Sequence, residues 1–149
     1  MPTDVTHIYN FYRLNDQVAC AGQPQADDFA RLKAAGYEVV INLAPADSTQ
    51  ALRDEQAVVA GQGLAYVHIP VIWDAPQRGD FALFCQAMQA HNGRNLFIHC
   101  IANMRVSAFL YLYQRTQGVP EKTARQVLDA IWQPNPTWQA FINHILAEV

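Results

Sequence analysis

The sequence predicts an α/β domain with a central, mainly parallel sheet of about four to five strands, an N-terminal hairpin at one edge and helices on both faces. Three observations carry that expectation. Short β-prone runs alternate with helical patterns through residues 39–99, the arrangement that yields parallel strands joined by helices. The runs at 39–43 and 96–99 are apolar almost throughout, as strands covered on both faces are. Residues 8–21 hold two β-prone runs separated by Asn15 and Asp16, a pair with turn chemistry, which predicts a hairpin. At 149 residues the chain reads as one domain, long enough to bury about two thirds of its unfolded surface.

In chain order, Gly22-Gln23-Pro24 breaks the hairpin strand, and Phe29, Leu32 and Ala35 mark one face of a short helix closed by Gly36. Residues 39–43 form a buried strand that stops at Ala44-Pro45. Asp47 or Ser48 is placed to cap a helix running through Leu52, Val58 and Val59 and ending at Gly61 and Gly63. Residues 64–69 are the next strand, halted by Pro70, and the loop V-I-W-D-A-P-Q-R-G follows. Asp80 is placed to cap a helix with Phe81, Phe84, Cys85 and Met88 at the helical period. Asn92-Gly93 ends it, and residues 96–99 make the last strand. Residues 106–113 are apolar on nearly every side, which predicts a helix buried all round and closed by Gly118. Two amphipathic helices finish the pattern. One starts at Pro120 with Ala124, Val127, Leu128 and Ile131 inward; the other has Asn135 as cap, Pro136 in its first turn, and Trp138, Phe141, Ile142 and Ile145 inward.

Residues 96–109, L-F-I-H-C-I-A-N-M-R-V-S-A-F, stand out chemically. A strand runs into His99 and Cys100, a tight loop follows, and a helix begins near Arg105 or Val106. The first N–H groups of such a helix lack intrahelical acceptors and point, with the positive end of the dipole, back at the loop. A cysteine held there is easier to deprotonate than a free thiol of pKa about 8.5. Its place at the carboxyl end of a strand is also where open α/β sheets put ligands. Cys100 is therefore the candidate nucleophile. Cys20, at the end of a probable strand, and Cys85, on an apolar helix face, read as core.

Composition narrows the alternatives. A net charge of −3 offers no basic field for nucleic acid or an anionic membrane. No apolar run is long enough to span a bilayer and the first residues carry no leader pattern, so a cytoplasmic protein is expected. Three cysteines at wide spacing, without Cys-x-x-Cys or a histidine pair at ligand spacing, suggest neither a disulfide framework nor a metal site. No metal or organic cofactor is expected. His7, His68, His91 and His144 show no partner in the sequence and take no catalytic role.

At His99-Cys100 and Ser107 the chain resembles the cysteine-dependent phosphatases, in particular the compact dual-specificity class with its signature His-Cys-x-x-Gly-x-x-Arg-Ser/Thr. The segments A-G-Q-P, V-V-I-N-L, H-I-P-V-I-W and H-C-I-A-N-M-R-V-S-A-F are similar to a bacterial phosphatase-like group also found fused to metallo-β-lactamase-like hydrolases. The resemblance implies a dual-specificity-phosphatase-like fold and hydrolysis of phosphate monoesters through a phosphocysteine. It implies that Cys100 attacks phosphorus, that His99 braces the loop and that Ser107 hydrogen-bonds the sulfur. A phosphate-binding loop of His99, Cys100, Ile101, Ala102, Asn103, Met104 and Arg105 would hold a phosphate or sulfate anion. Asp74, in a loop like the mobile acid loop of these enzymes, would protonate the leaving oxygen, with Asp80 as the fallback. Phosphorylated small molecules or phosphoproteins are the implied substrates.

The signature is not matched throughout. Counted from Cys100, the family's glycine position holds Asn103, its arginine position holds Val106, and Arg105 comes one residue early, a turn of about 100 degrees on a helix. Asn tolerates the left-handed conformation that glycine would supply. Arg105 either clamps the anion from a loop tightened by one residue, or points away as a surface residue paired with a carboxylate. Two other readings follow from the same spacing. Cys100-x4-Arg105 has the loop length of rhodanese-like sulfurtransferases, though these return to the sheet with a strand after the active-site helix. A catalytically weak module that binds an oxyanion through loop amides is the other.

Overall fold

The computed structural model describes residues 4–149. Five strands form one sheet: β1 (Tyr12–Arg13), β2 (Val18–Ala21), β3 (Val39–Asn42), β4 (Ala65–His68) and β5 (Leu96–His99). Their spatial order is β1-β2-β5-β3-β4, antiparallel only between β1 and β2. The last strand in sequence is thus the central one, with Ile98 beside Cys20 on one side and Ile41 on the other. The chain reaches it through α1 (Asp28–Ala34), α2 (Glu55–Gly61) and α3 (Arg78–Ala90), and continues into α4 (Met104–Thr116), α5 (Glu121–Ile131) and α6 (Pro136–Leu146).

Successive side chains of a strand point to opposite faces, so each buried strand supplies two cores. Ala19, Ala21, Val40 and Phe97 pack with Phe29 and Leu32 of α1 and Val59 of α2. Val18, Cys20, Ile41 and Ile98 pack with α3, α4, α5 and α6. Arg105 through Leu112 are all buried, which accounts for the apolar character of that helix on nearly every side. Phe109 lies at the centre of an aromatic cluster, with ring centroids 5.5 Å from both Phe81 and Phe84 and 5.9 Å from Phe141. Rings at such separations in edge or offset geometry add to the area they bury.

Several boundaries differ from the sequence expectation for identifiable reasons. The helix expected from Asp47 or Ser48 begins only at Glu55. The Ser48 hydroxyl closes a turn on the Pro45 carbonyl at 2.7 Å instead of capping, and Asp54 enters α2 in the left-handed region at φ 57°. Asp80 is not the cap of α3 but its third residue: Gln77 takes the cap position, and the Asp80 carboxylate accepts from the Gln77 N–H at 3.0 Å. The first hairpin strand is short because the chain turns before it, with Asn10 at φ 53°. Cys85 is half-buried at the edge of its cluster, and Ile131 only partly covered. Asn135 caps α6 as expected, accepting from the Trp138 N–H at 2.9 Å, with Pro136 in the first turn.

Candidate active site

Cys100 leaves the carboxyl end of the central strand and lies above the N-terminus of α4. The loop between them is held on its far side by the hairpin. The Gln23 N–H donates to the Ile101 carbonyl at 3.0 Å, and Asn10 Nδ2 donates to the Ala102 carbonyl at 3.0 Å. Gly22 is required by this approach: a Cβ there would meet the Ile101 carbonyl oxygen at 2.4 Å. The residue type that permits the contact is read from the A-G-Q-P segment; the contact itself needs the fold.

Asn103 caps α4 from the left-handed region, at φ 66° and ψ 3°. It takes the conformation expected of the residue at the signature's glycine position. Its side chain is fully buried, and Nδ2 donates to the Asn10 carbonyl at 2.9 Å and toward the Cys20 sulfur at 3.3 Å. Because the loop turns this tightly, α4 starts at Met104, and Arg105 falls in its first turn. Arg105 is neither on the surface nor paired with a carboxylate: it is buried, Nη1 donates to the Val71 carbonyl at 3.0 Å, and the guanidinium lies 5.7 Å from the Trp73 ring centre. Val106, at the signature's arginine position, is wholly buried in the core.

Trp73, Cys100, Ile101, Ala102, Met104 and Arg105 line one pocket of about 180 Å³. Cys100 and Arg105 thus share a cavity of a size suited to a small oxyanion, floored by the start of a helix. First-turn amides and the helix dipole favour negative charge there, whether a thiolate or an anion. A larger open groove of about 970 Å³ passes over Asp47, Ser48, Arg53, Tyr66 and His68, but it holds no thiol beside a helix N-terminus. Chemistry rather than volume selects the smaller cavity.

The remaining expected residues lie around it. Ser107 is buried one turn into α4, its hydroxyl donating to the Met104 carbonyl at 3.1 Å. Asp74 is exposed and stands outside the pocket lining, one residue beyond Trp73. That loop is anchored from below: Trp138 Nε1 donates to the Trp73 carbonyl at 2.9 Å, and the Trp73 ring packs on Trp132 and Trp138 at 5.4 and 5.7 Å. Cys20 is a core thiol that burial pushes up to about 12, and Cys85 is likewise pushed up by burial, to about 11. Neither is activated.

His99 is fully buried and joins a polar network that sequence reasoning did not find. Its Nε2 lies 2.7 Å from Glu55 Oε2, and its Nδ1 lies 3.1 Å from the Cys100 carbonyl. Glu55 also accepts from Gln23 Nε2 at 2.7 Å and from the Tyr66 hydroxyl at 2.9 Å, while Asn42 Nδ2 donates to that hydroxyl at 3.0 Å. Burial favours the neutral acid, but the donors of His99, Gln23 and Tyr66 outweigh it and hold the Glu55 carboxyl below its ordinary range. Trp73, Glu55, Tyr66 and Asn10 are residues of this region that the sequence did not single out. Trp73 was legible only as part of the Asp74 loop. Glu55 falls inside the helix expected from Asp47 or Ser48, where nothing local marks it; only the later start at Glu55 puts it in the first turn.

The other histidines have partners remote from the pocket: His7 with Asp28, His68 with the Ala44 carbonyl, His91 with Arg94, and His144 with Arg78. Among the described residues no group of three or more His, Cys, Asp or Glu side chains is placed to hold a metal ion, and no helix is long and apolar enough to cross a membrane.

Comparison with known proteins places this arrangement. The family model described as the phosphatase-like domain of beta-lactamase hydrolase-like protein matches residues 10–116. A beta-lactamase hydrolase-like protein of Xylella fastidiosa is 31% identical over 121 residues, covering 79% of this chain and 27% of its own length. The chain therefore spans about a quarter of the curated relatives it matches. The crystal structure of a DUF442 protein of Shewanella putrefaciens CN-32 superposes with a TM-score of 0.89 at 38% identity, over 97% of this chain and 95% of that one. TpbA of P. aeruginosa in complex with phosphotyrosine superposes at 0.70 with 16% identity, over 93% and 89% of the two chains. The fold is that of the cysteine-based, protein-tyrosine-phosphatase-like phosphatases.

Proposed function

We propose that this chain, which belongs to the family of phosphatase-like domains of beta-lactamase hydrolase-like proteins, hydrolyses phosphate monoesters with Cys100 as nucleophile. The observation that carries the proposal is the single pocket shared by Cys100 and Arg105 above the first turn of α4. The bound phosphotyrosine of TpbA, a protein of the same fold, supports a phosphoryl group as the species that would occupy such a pocket.

In this reading the Cys100 thiolate attacks phosphorus, forming a sulfur–phosphorus bond as the ester oxygen leaves. The amides of residues 101–105 and the Arg105 guanidinium bind the non-bridging oxygens. A guanidinium supplies both charge and a fork geometry suited to a phosphoryl group. Arg105 exchanges its bond to the Val71 carbonyl for the incoming anion. Asp74 donates a proton to the leaving oxygen when the exposed part of the loop beyond Trp73 brings its carboxyl over the pocket. Water then attacks the phosphocysteine, Asp74 takes its proton, and Ser107 hydrogen-bonds the departing sulfur.

A rhodanese-like sulfurtransferase shares the Cys100-x4-Arg105 spacing. The continuation argues against it: α4 leads into α5 and α6, which pack on the same face of the sheet, and no strand follows among the described residues. A catalytically weak oxyanion-binding module would use the same amides, and turnover separates it from an enzyme.

The test is release of product from an aryl phosphate, with a metal chelator present, by the wild type and by Cys100→Ser. Turnover by the wild type and none by the variant is the expected result. No turnover by a folded wild type that still binds phosphate or sulfate would replace the enzyme with the binding module.

A further inference from the structure

The buried network behind the loop has a donor count that fixes more than its shape. The Ala44 N–H donates to Asn42 Oδ1 at 2.9 Å, which orients the Asn42 amide so that Nδ2 faces the Tyr66 hydroxyl. With its oxygen accepting there, Tyr66 spends its proton on Glu55. Burial pushes the Tyr66 hydroxyl up, which keeps that proton in place. Gln23 Nε2 is a donor only. Glu55 thus accepts from both, as an ionised carboxylate does. His99 faces the same carboxylate with Nε2 and a carbonyl with Nδ1, two acceptors with nothing to give.

We infer that Glu55 is a positioning residue that holds His99 as a doubly protonated imidazolium, so that the ring donates from Nε2 to Glu55 and from Nδ1 to the Cys100 carbonyl. A ring with both nitrogens facing acceptors donates at both only in its charged form. The charge is balanced by Glu55, itself satisfied by Gln23 and Tyr66, which is the condition under which a buried ion pair is tolerated. The groups facing this pair come from every neighbouring element: Tyr66 from β4, Asn42 from β3, Gln23 from the loop before α1, and the Phe29 ring of α1 at 6.3 Å from the imidazole. Of these only Tyr66 titrates; on its open side Glu55 lines the large groove together with Asp47, Arg53, Asp54 and His68.

The consequence rests on the reading of Cys100 as nucleophile. The proton that Glu55 keeps on the ring nearest the Cys100 backbone favours negative charge on the loop more than a neutral ring would. Glu55 is the acid in the first turn of α2, and the crossing from β3 to β4 brings it to His99.

The experiment has two parts. Long-range proton–nitrogen NMR of the wild-type histidine rings should show two N–H groups on His99; a single N–H overturns the proposal without any variant. In Glu55→Gln, which preserves shape but removes the charge, His99 should show one N–H. The pH profile of Cys100 alkylation by iodoacetamide, read on its own peptide by mass spectrometry, should then move upward by about one unit, a tenfold loss of thiolate below the midpoint. Overlapping profiles for the wild type and a folded Glu55→Gln also overturn it. Because alkylation reads the thiolate without any phosphate ester, a shifted profile in a protein that hydrolyses no aryl phosphate would sink the proposed activity and leave the role of Glu55 standing.

Discussion

Replacing Arg105 with alanine removes the one guanidinium that lines the Cys100 pocket. A charge-assisted contact to a phosphoryl oxygen is worth about 1.5–3 kcal/mol, so the KM for an aryl phosphate should rise roughly tenfold or more. An unchanged KM in steady-state assays would reject the clamp role. Cys85→Ser should leave turnover intact, because that thiol is half-buried on α3 and raised by burial; equal loss in Cys85→Ser and Cys100→Ser would point to damaged folding. The residue scale is also where sequence was least informative. Cys100 was visible because a strand, a His-Cys pair and a helix start coincide in one short window. The direction of Arg105 was not, since it depends on Asn103 adopting the left-handed conformation and drawing the helix start forward to Met104. Glu55 was invisible because its burial comes from a long-range crossing that no local window contains.

At the scale of elements, caps and turns divide the two candidate acids. Asp80 accepts the Gln77 N–H in the capping box of α3, and this explains its presence without any catalytic duty. Asp80→Ala should lower stability by about 1 kcal/mol, measured by urea unfolding. Asp74→Ala should instead lower kcat with little effect on unfolding, because its exposed carboxyl is not part of the packing beneath Trp73. The opposite pattern would transfer the acid role to Asp80. Element types and most boundaries were legible, as apolar period, Gly stops and the Asn135-Pro136 start agree with the structure. The start of α2 was not. Asp47 and Ser48 carry capping chemistry, but Ser48 spends its hydroxyl on the Pro45 carbonyl, a local bond that competes with helix initiation.

For the whole molecule, the Glu55 network links pH to folding. The Glu55 carboxyl lies below its ordinary value of 4.5 in the folded state, so folding favours its ionised form. That contribution is complete above about pH 4.5 and is lost as pH falls through the lower folded value, so the midpoint of urea unfolding should decline with acidification in that window. Glu55→Gln should flatten the decline. The layered α/β plan was legible from alternation alone, but the strand order β1-β2-β5-β3-β4 was not, because the choice of parallel neighbours is made by packing between segments far apart in sequence. That order has a consequence for how the protein wears out. The innermost strand is the last part of a sheet to open, and its amide protons are commonly the slowest to exchange with solvent. Cys100 hangs directly from it, with a separate core beneath each face. The segment carrying Cys100 is therefore tethered to the strand expected to open last, and heat or denaturant should release Cys100 and the tertiary structure together.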